Sequence, residues 1–306
     1  MMEKIEKQRE TEKIVGINQQ TRKEKMAAYK ESPLSFFLWM LVLLAAAFTM
    51  STFGLLVTYI LVKGVPNLTP SLFAWKYTLE NASMMPAIIN TILMTMLSLL
   101  ISMPVGIGAA IYLAEYAQKG NKLVGIVRIT AETLTGIPSI VYGLFGALFF
   151  VITLKWKLSL MSGACTLAIM VLPVVMRTTE EALLSVPDDY RTGSFGLGAG
   201  KLRTVLRVVL PSAIPGILSG VILAIGRIIG ETAALIYTAG SIPEVPNSFF
   251  DSARTLAVHM YHLSKEGLYT NQAYATAVVL FVFVLLINYL SDLLANKLSK
   301  ASGGEK

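Results

Sequence analysis

The sequence predicts an all-α integral membrane protein with six transmembrane helices. Three observations carry that prediction. The 306 residues are 54% hydrophobic and only 15% charged, whereas soluble domains carry about 25% charge. Six apolar runs, near 36–62, 86–114, 129–153, 158–176, 213–238 and 273–295, each reach the ~20 residues a spanning helix needs. The Lys and Arg residues divide unevenly between the two sides: with the N-terminus inside, the inner segments hold 19 and the outer ones 6. By the positive-inside rule both termini are then cytoplasmic. The net charge of +7 reads as cytoplasmic loops of a membrane protein, not as a nucleic-acid footprint.

The elements follow in order. Residues 1–33 hold eight basic and six acidic residues and few large apolar ones; a segment of that composition builds no core and reads as a charged, disordered cytoplasmic tail. The membrane domain is expected over 34–298, with a short tail at 299–306. The first run starts after about 35 polar residues and is too long for the core of a cleavable signal. The third run carries Gly136, Pro138, Gly143 and Gly146. Pro138 removes a backbone donor and is expected to kink the helix, with Thr135, Ser139 and Tyr142 beside the kink. Only LKWK separates the third run from the fourth, so the two form a tight hairpin. Trp39 and Trp156 sit at run ends, where interfacial aromatics belong.

Two hydrophilic stretches exceed simple turns. The inner one, 177–211, reads as a short helix EEALLSV, a stop at Pro187, and a second helix starting at Asp188 or Asp189. That helix is stopped by Gly196, Gly198 and Gly200, and the basic stretch KLRTVLRVVLP leads into the fifth run. A short cross helix held at both ends makes a rigid knob for a cytoplasmic partner. The outer stretch, 239–272, contains an amphipathic segment, DSARTLAVHMYHLSKEG. Its His259 and His262 share a face, but no third ligand lies near, so no metal is expected. The single cysteine, Cys165, lies inside an apolar run and reads as a small buried or lipid-facing residue.

The fifth run poses the chemical question. Within ILAIGRIIGETAAL, residues 222–235, Arg227 and Glu231 stand alone among apolar neighbours, followed by Thr232. An arginine at membrane depth costs at least about 2.5–3.5 kcal/mol. The two are four apart and are expected on one helix face. Gly216, Gly220 and Ala224, and again Gly226, Gly230 and Ala234, are spaced for close helix packing, which predicts a central span. Two readings of the charged pair stay open here: a salt bridge that neutralises itself, and a substrate-pathway site. The guanidinium offers a planar fork of donors suited to an oxyanion. A carboxylate beside it accepts a hydrogen bond from the protonated oxygen of hydrogen phosphate, which sulfate lacks at neutral pH, so the pair is expected to favour phosphate. Glu132, at the inner end of the third run, reads as an interfacial or capping acid.

No nucleotide site is legible. For a phosphate loop ending at Gly200-Lys201, position 195 has to be Gly and position 202 Ser or Thr; they are Phe195 and Leu202. If ATP drives this protein, another chain binds it, and no catalytic site is expected here. An ion-gradient transporter predicts paired broken helices, and only one clear Pro-Gly break is visible. A membrane scaffold leaves a charged pair at membrane depth without a role.

The inner loop resembles the coupling motif of ABC importer permeases: Gly198, then Val208, Leu210 and Pro211 fall where that family has Gly and Ile-x-Leu-Pro. Thr192, Gly193 and Ser194 occupy its Glu-Ala-Ala positions. Over residues 85–295 the chain is similar to phosphate ABC transporter permeases of the PstA type, through ETLTGIPSIVYGLFG at 132–146, EEALLSVPDDYR at 180–191 and GRIIGETAALIYTAG at 226–240. The resemblance implies a type I, MetI-like permease fold in the bacterial inner membrane. It implies a substrate pathway through Arg227, Glu231, Thr232, Ser139 and Tyr142. It also implies coupling to an ATPase through Glu181, Asp189, Arg191, Thr192, Gly193, Ser194, Gly198 and Pro211. The implied partners are a second permease of the PstC type, a dimeric ATPase of the PstB type that holds ATP and Mg, an external phosphate-binding protein of the PstS type, and membrane lipid. The family resemblance assigns no metal and no cofactor to this chain.

Overall fold

The structure is a computed structural model; it describes residues 33–118 and 120–301. The tail at 1–32 and residues 302–306 lie outside the described residues. The chain divides into two units, residues 1–59 and 60–306. Helix α1, Pro33–Gly64, makes up the described part of the first unit and ends in the second. Its apolar side chains run round the whole circumference, as in a helix that meets no water.

In the second unit, α2 spans Met85–Tyr116. Pro86 sits in its first turn, where a missing N–H costs nothing. Its buried face is small and hydroxylic: Asn90, Thr91, Thr95, Ser98, Ser102, Gly106 and Ala110. The hydroxyls of Thr91, Thr95 and Ser98 donate to the carbonyls of Ala87, Thr91 and Met94, so these three donors are satisfied within the helix. This slim face admits α5, Leu160–Leu184. At Gly106 a Cβ would lie 2.9 Å from Val175, and at Gly163 one would lie 2.9 Å from Met94.

The fourth run, expected to end at 176 before a separate helix EEALLSV, is one helix through Leu184. The charges that look like a span end are paired laterally, so the helix continues past them. Arg128 of α3, Lys122–Thr135, meets Glu180 at 2.6 Å, and Arg177 meets Glu132 of α3 at 3.3 Å and Glu181 at 3.0 Å. Helix α5 is also the most enclosed element. Of its apolar stretch 67% is buried, against 33% for α7, Lys201–Ile229. The fifth run was expected to be the centre; it is packed on several sides, but the centre is α5. Gly216 and Gly220 of α7 abut Ala182 and Thr178 of α5, as the small-residue spacing predicts, whereas a Cβ on Gly226 would still lie 4.0 Å from Asn288 of α10, Thr270–Ala301.

Two spans are broken where one was expected. The third run divides into α3 and α4, Ser139–Thr153, whose axes differ by 102°. This exceeds a kink. Pro138 has no N–H and forces Ile137 out of the helical region, so the chain restarts instead of bending; Pro138 itself is extended, at φ −58°, ψ 140°. The fifth run is interrupted after Ile229 and resumes as α8, Ala233–Thr238. The knob helix α6, Asp188–Gly196, lies between α5 and α7, and α9, Leu256–Glu266, lies between α8 and α10. Within α7, residues Val205–Val209 form a wide π-turn immediately before Pro211. It relieves the clash of the proline ring with the carbonyl four residues back.

Candidate functional site

The two breaks lie side by side because glycines let α4 and α8 touch. A Cβ on Gly143 would sit 2.8 Å from the Cα of Ala234, and one on Gly146 would meet Thr166 and Thr238. Each break is braced by a polar side chain. Tyr142 is buried, and its hydroxyl donates to the Leu134 carbonyl at 2.7 Å, tying α4 back to the end of α3. Glu231 is buried, and its carboxylate accepts the Ala234 N–H at 3.1 Å, capping α8. An acid there also suits the partial positive charge of a helix start.

The expected Arg227–Glu231 pair on one face is therefore absent. The α-helix ends at Ile229, with Gly230 in the bridge region, so residue 231 no longer follows the helical register of residue 227. Among the described residues no carboxylate lies within ion-pair distance of Arg227. The guanidinium is half-buried in the last turn of α7 and close enough to Tyr142 to act on it electrostatically. The self-neutralising salt bridge is thus excluded in this conformation. Ser139 is half-buried at the first position of α4, one turn from Tyr142. Thr232 is half-buried, with its hydroxyl 3.5 Å from the Gly230 carbonyl. The breaks thus gather a cation without a carboxylate partner, two hydroxyl side chains and a buried carboxylate with one oxygen committed.

The knob side is more internally tied than expected. Asp188 and Asp189 occupy the first turn of α6, both exposed. Thr192 is exposed, its hydroxyl 3.2 Å from the Asp188 and Asp189 carbonyls; an added methyl at Gly193 meets nothing. Ser194 bonds Thr204 at the start of α7, 2.8 Å away. Gly198 takes φ +82°, a backbone conformation that disfavours any side chain, and it turns the chain from α6 towards α7. Glu181 is spent on Arg177 and is exposed. Arg191 points inward, to Glu115 at the end of α2, at 2.7 Å. Glu115 had no signal in the sequence: it reads as an ordinary charge at a span end, 76 residues from its partner.

On the other side of the molecule, His259 is fully buried. Its Nδ1 lies 3.4 Å from Arg254 Nη1 and its Nε2 3.3 Å from the Ala82 carbonyl. Arginine only donates, so Nδ1 accepts and the proton sits on Nε2. Burial first, then the Arg254 charge, push the His259 pKa down to about 4. His262 joins no metal site: no cluster of His, Cys, Asp or Glu among the described residues is placed to hold an ion. Asn90 ties this region to α2 by donating to the Glu244 and Arg254 carbonyls.

Comparison with known proteins agrees with this architecture. Residues 102–301 match the family described as binding-protein-dependent transport system inner membrane component. The chain is 34% identical over 263 residues to the probable ABC transporter permease protein YqgI of Bacillus subtilis, covering 80% of this chain and 89% of that one. It is 35% identical over 250 residues to the phosphate transport system permease protein PstA of Pasteurella multocida, covering 79% and 87%. Among solved structures it is similar in fold to the inward-facing MetNI methionine ABC transporter, with a TM-score of 0.55 at 20% identity over 79% of this chain and 97% of that one. The all-helical MetI-like architecture, the broken spans and the sequence matches together show that the chain belongs to the family of binding-protein-dependent ABC transporter permeases, the inner membrane components of such systems.

Proposed function

We propose that this chain is the PstA-type subunit of an ATP-driven importer of inorganic phosphate, with both termini cytoplasmic. The observation that carries the reading is Arg227: a half-buried guanidinium in the last turn before the α7 break, within electrostatic reach of Tyr142, with no carboxylate among the described residues at ion-pair distance. A cation kept at membrane depth is costly unless something neutralises it, and a passing oxyanion does so through two parallel hydrogen bonds. Ser139 and Thr232 supply hydroxyl donors. Glu231 Oε1 is held by Ala234 N–H, and its other oxygen accepts a hydrogen bond from the P–OH of hydrogen phosphate while repelling a fully deprotonated anion. The PstA relatives support phosphate as the cargo.

In this reading a PstC-type permease completes the pathway. PstB-type ATPases, which hold ATP and Mg, dock on the 180–200 knob, and a PstS-type binding protein docks on residues 239–272. The chain itself performs no covalent step; it converts partner motion into alternating access by favouring one of two packed states.

The test is uptake of radiolabelled phosphate into vesicles containing the full complex, with sulfate, molybdate and phosphonate as competitors. Arg227→Gln is expected to lower uptake at least about tenfold, since a hydrogen bond to a charged group is worth about 1.5–3 kcal/mol. Glu231→Gln is expected to relax phosphate-over-sulfate selectivity. Undiminished uptake in Arg227→Gln overturns the site. Preferred uptake of sulfate, molybdate or a phosphonate by the unaltered complex overturns the cargo.

A further inference from the structure

Helix α6 contains no buried residue. Apolar packing therefore does not hold it, and a knob that receives force from a partner has to be fixed by other means. Arg191 supplies them. Its Nε and Nη2 donate to Glu115 Oε1 at 3.1 and 2.7 Å, Nη2 also to the Leu183 carbonyl at 2.9 Å, and Nη1 to the Val186 carbonyl at 2.7 Å and Asp188 Oδ1 at 3.2 Å. All five donor directions of the guanidinium are used. The Leu183 carbonyl is among the last of α5, where it also accepts the Val186 N–H at 3.3 Å. One side chain thus joins the start of α6, the end of α5 and the end of α2.

The pair is enclosed as well as saturated: the Arg191 side chain is 15% exposed and Glu115 7%. Of the neighbouring ion pairs, Arg177–Glu132 and Arg177–Glu181 have both partners about half exposed or more, and Arg128–Glu180 buries its carboxylate but leaves its cation half exposed, where water screens them. Glu115 stands in the wide π-turn Tyr112–Tyr116 that ends α2, a geometry that locally loosens a helix. Among the described residues, the remaining side-chain hydrogen bond from α6 to another element is Ser194–Thr204, towards α7.

We propose that Arg191 and Glu115 are positioning residues that form a strut, through which displacement of the α6 knob is carried to α2 and α5. Arg191 acts from inside the subunit and does not touch the ATPase. This rests on the reading of the chain as a permease driven by an ATPase at the knob. It adds Glu115, and it reassigns Arg191 from a docking contact to an internal tie. Lysine in place of Arg191 has three donors on a point charge and cannot span the same acceptors.

The experiment reconstitutes the whole complex in proteoliposomes and measures radiolabelled inorganic phosphate moved per ATP hydrolysed. The unaltered complex is compared with Glu115→Ala, Glu115→Gln and Arg191→Lys, and ATPase recovery is checked by co-purification. The strut predicts that the ATPase still co-purifies while phosphate moved per ATP falls fivefold or more in Glu115→Ala and Arg191→Lys. Glu115→Gln, which keeps an acceptor of the same shape, falls less. If Glu115→Ala does not accumulate, Arg191→Lys and Glu115→Gln carry the test. An unchanged ratio overturns the strut, including the case in which transport and hydrolysis fall together, the mark of a merely structural role. Loss of ATPase co-purification in Arg191→Lys, with the ratio unchanged in whatever complex remains, also overturns it, because it makes Arg191 a docking contact. If the unaltered complex hydrolyses ATP without moving phosphate, the cargo reading fails instead. The ratio is then read with whichever of sulfate, molybdate or phosphonate the complex moves.

Discussion

Replacing Gly143 by alanine tests whether the two helix breaks act as one site. The added Cβ lies 2.8 Å from Ala234 Cα, 3.2 Å from the Ala234 carbonyl oxygen and 3.3 Å from that of Ala233. All three are backbone atoms, so no rotamer change relieves them; α8 has to retreat from α4 by about 0.6 Å to reach ordinary contact at 3.4 Å. Overpacking of this kind costs about 1–3 kcal/mol. The retreat starts at the residue whose N–H holds Glu231, so it also disturbs the cap opposite Arg227. Thermal denaturation in detergent and phosphate uptake by the reconstituted complex are the assays. Gly125→Ala on α3, where an added methyl meets nothing within 4 Å, is the control and is expected to match the unaltered protein or exceed it slightly. The expected result is lower stability and lower uptake in Gly143→Ala alone. Equal behaviour of the two variants refutes the claim that α4 and α8 are in contact through this glycine.

Three further outcomes follow from single side chains. Tyr142→Phe removes the tie to the Leu134 carbonyl and is expected to destabilise the α3–α4 joint by about 0.5–1.5 kcal/mol, read as faster hydrogen exchange at residues 134–142; unchanged exchange contradicts the brace. His259 has a pKa of about 4 in the folded protein against an ordinary 6.5. The unfolded state therefore binds more protons between those values, and stability falls as pH drops from about 6.5 to 4, by up to about 3 kcal/mol in total. Limited proteolysis of the 65–84 segment checks this, and His259→Gln is expected to flatten the profile. Arg254, Tyr77 and His262 also face the ring, so a profile that persists in His259→Gln assigns the effect to another group. Arg128→Ala leaves the buried Glu180 carboxylate without its 2.6 Å partner and is expected to weaken the α3–α5 contact by about 3–5 kcal/mol if the pair is fully enclosed. Half-exposure of Arg128 lowers that expectation to about 1 kcal/mol, measurable as a shift in the denaturation midpoint.

What the sequence determined by itself is the part governed by composition and near neighbours. Apolar runs of spanning length, the cross helix between Pro187 and Gly198, and the small-residue spacing of Gly216 and Gly220 depend on hydropathy, proline and glycine stereochemistry and helical period, all of which are local. The tertiary structure decided where charges go. A charged residue reads the same whether it faces water or a partner, so Glu180 looked like the end of a span, although it is matched by Arg128, 52 residues away. Arg191 looked like a docking contact although it is saturated from within. The same limit separated Arg227 from Glu231: a spacing of four puts them together only while the helix continues. Glycine and threonine at 230 and 232 leave the choice between continuing and stopping to the packing of α8 against Gly143 and to a carboxylate that stabilises the new helix start.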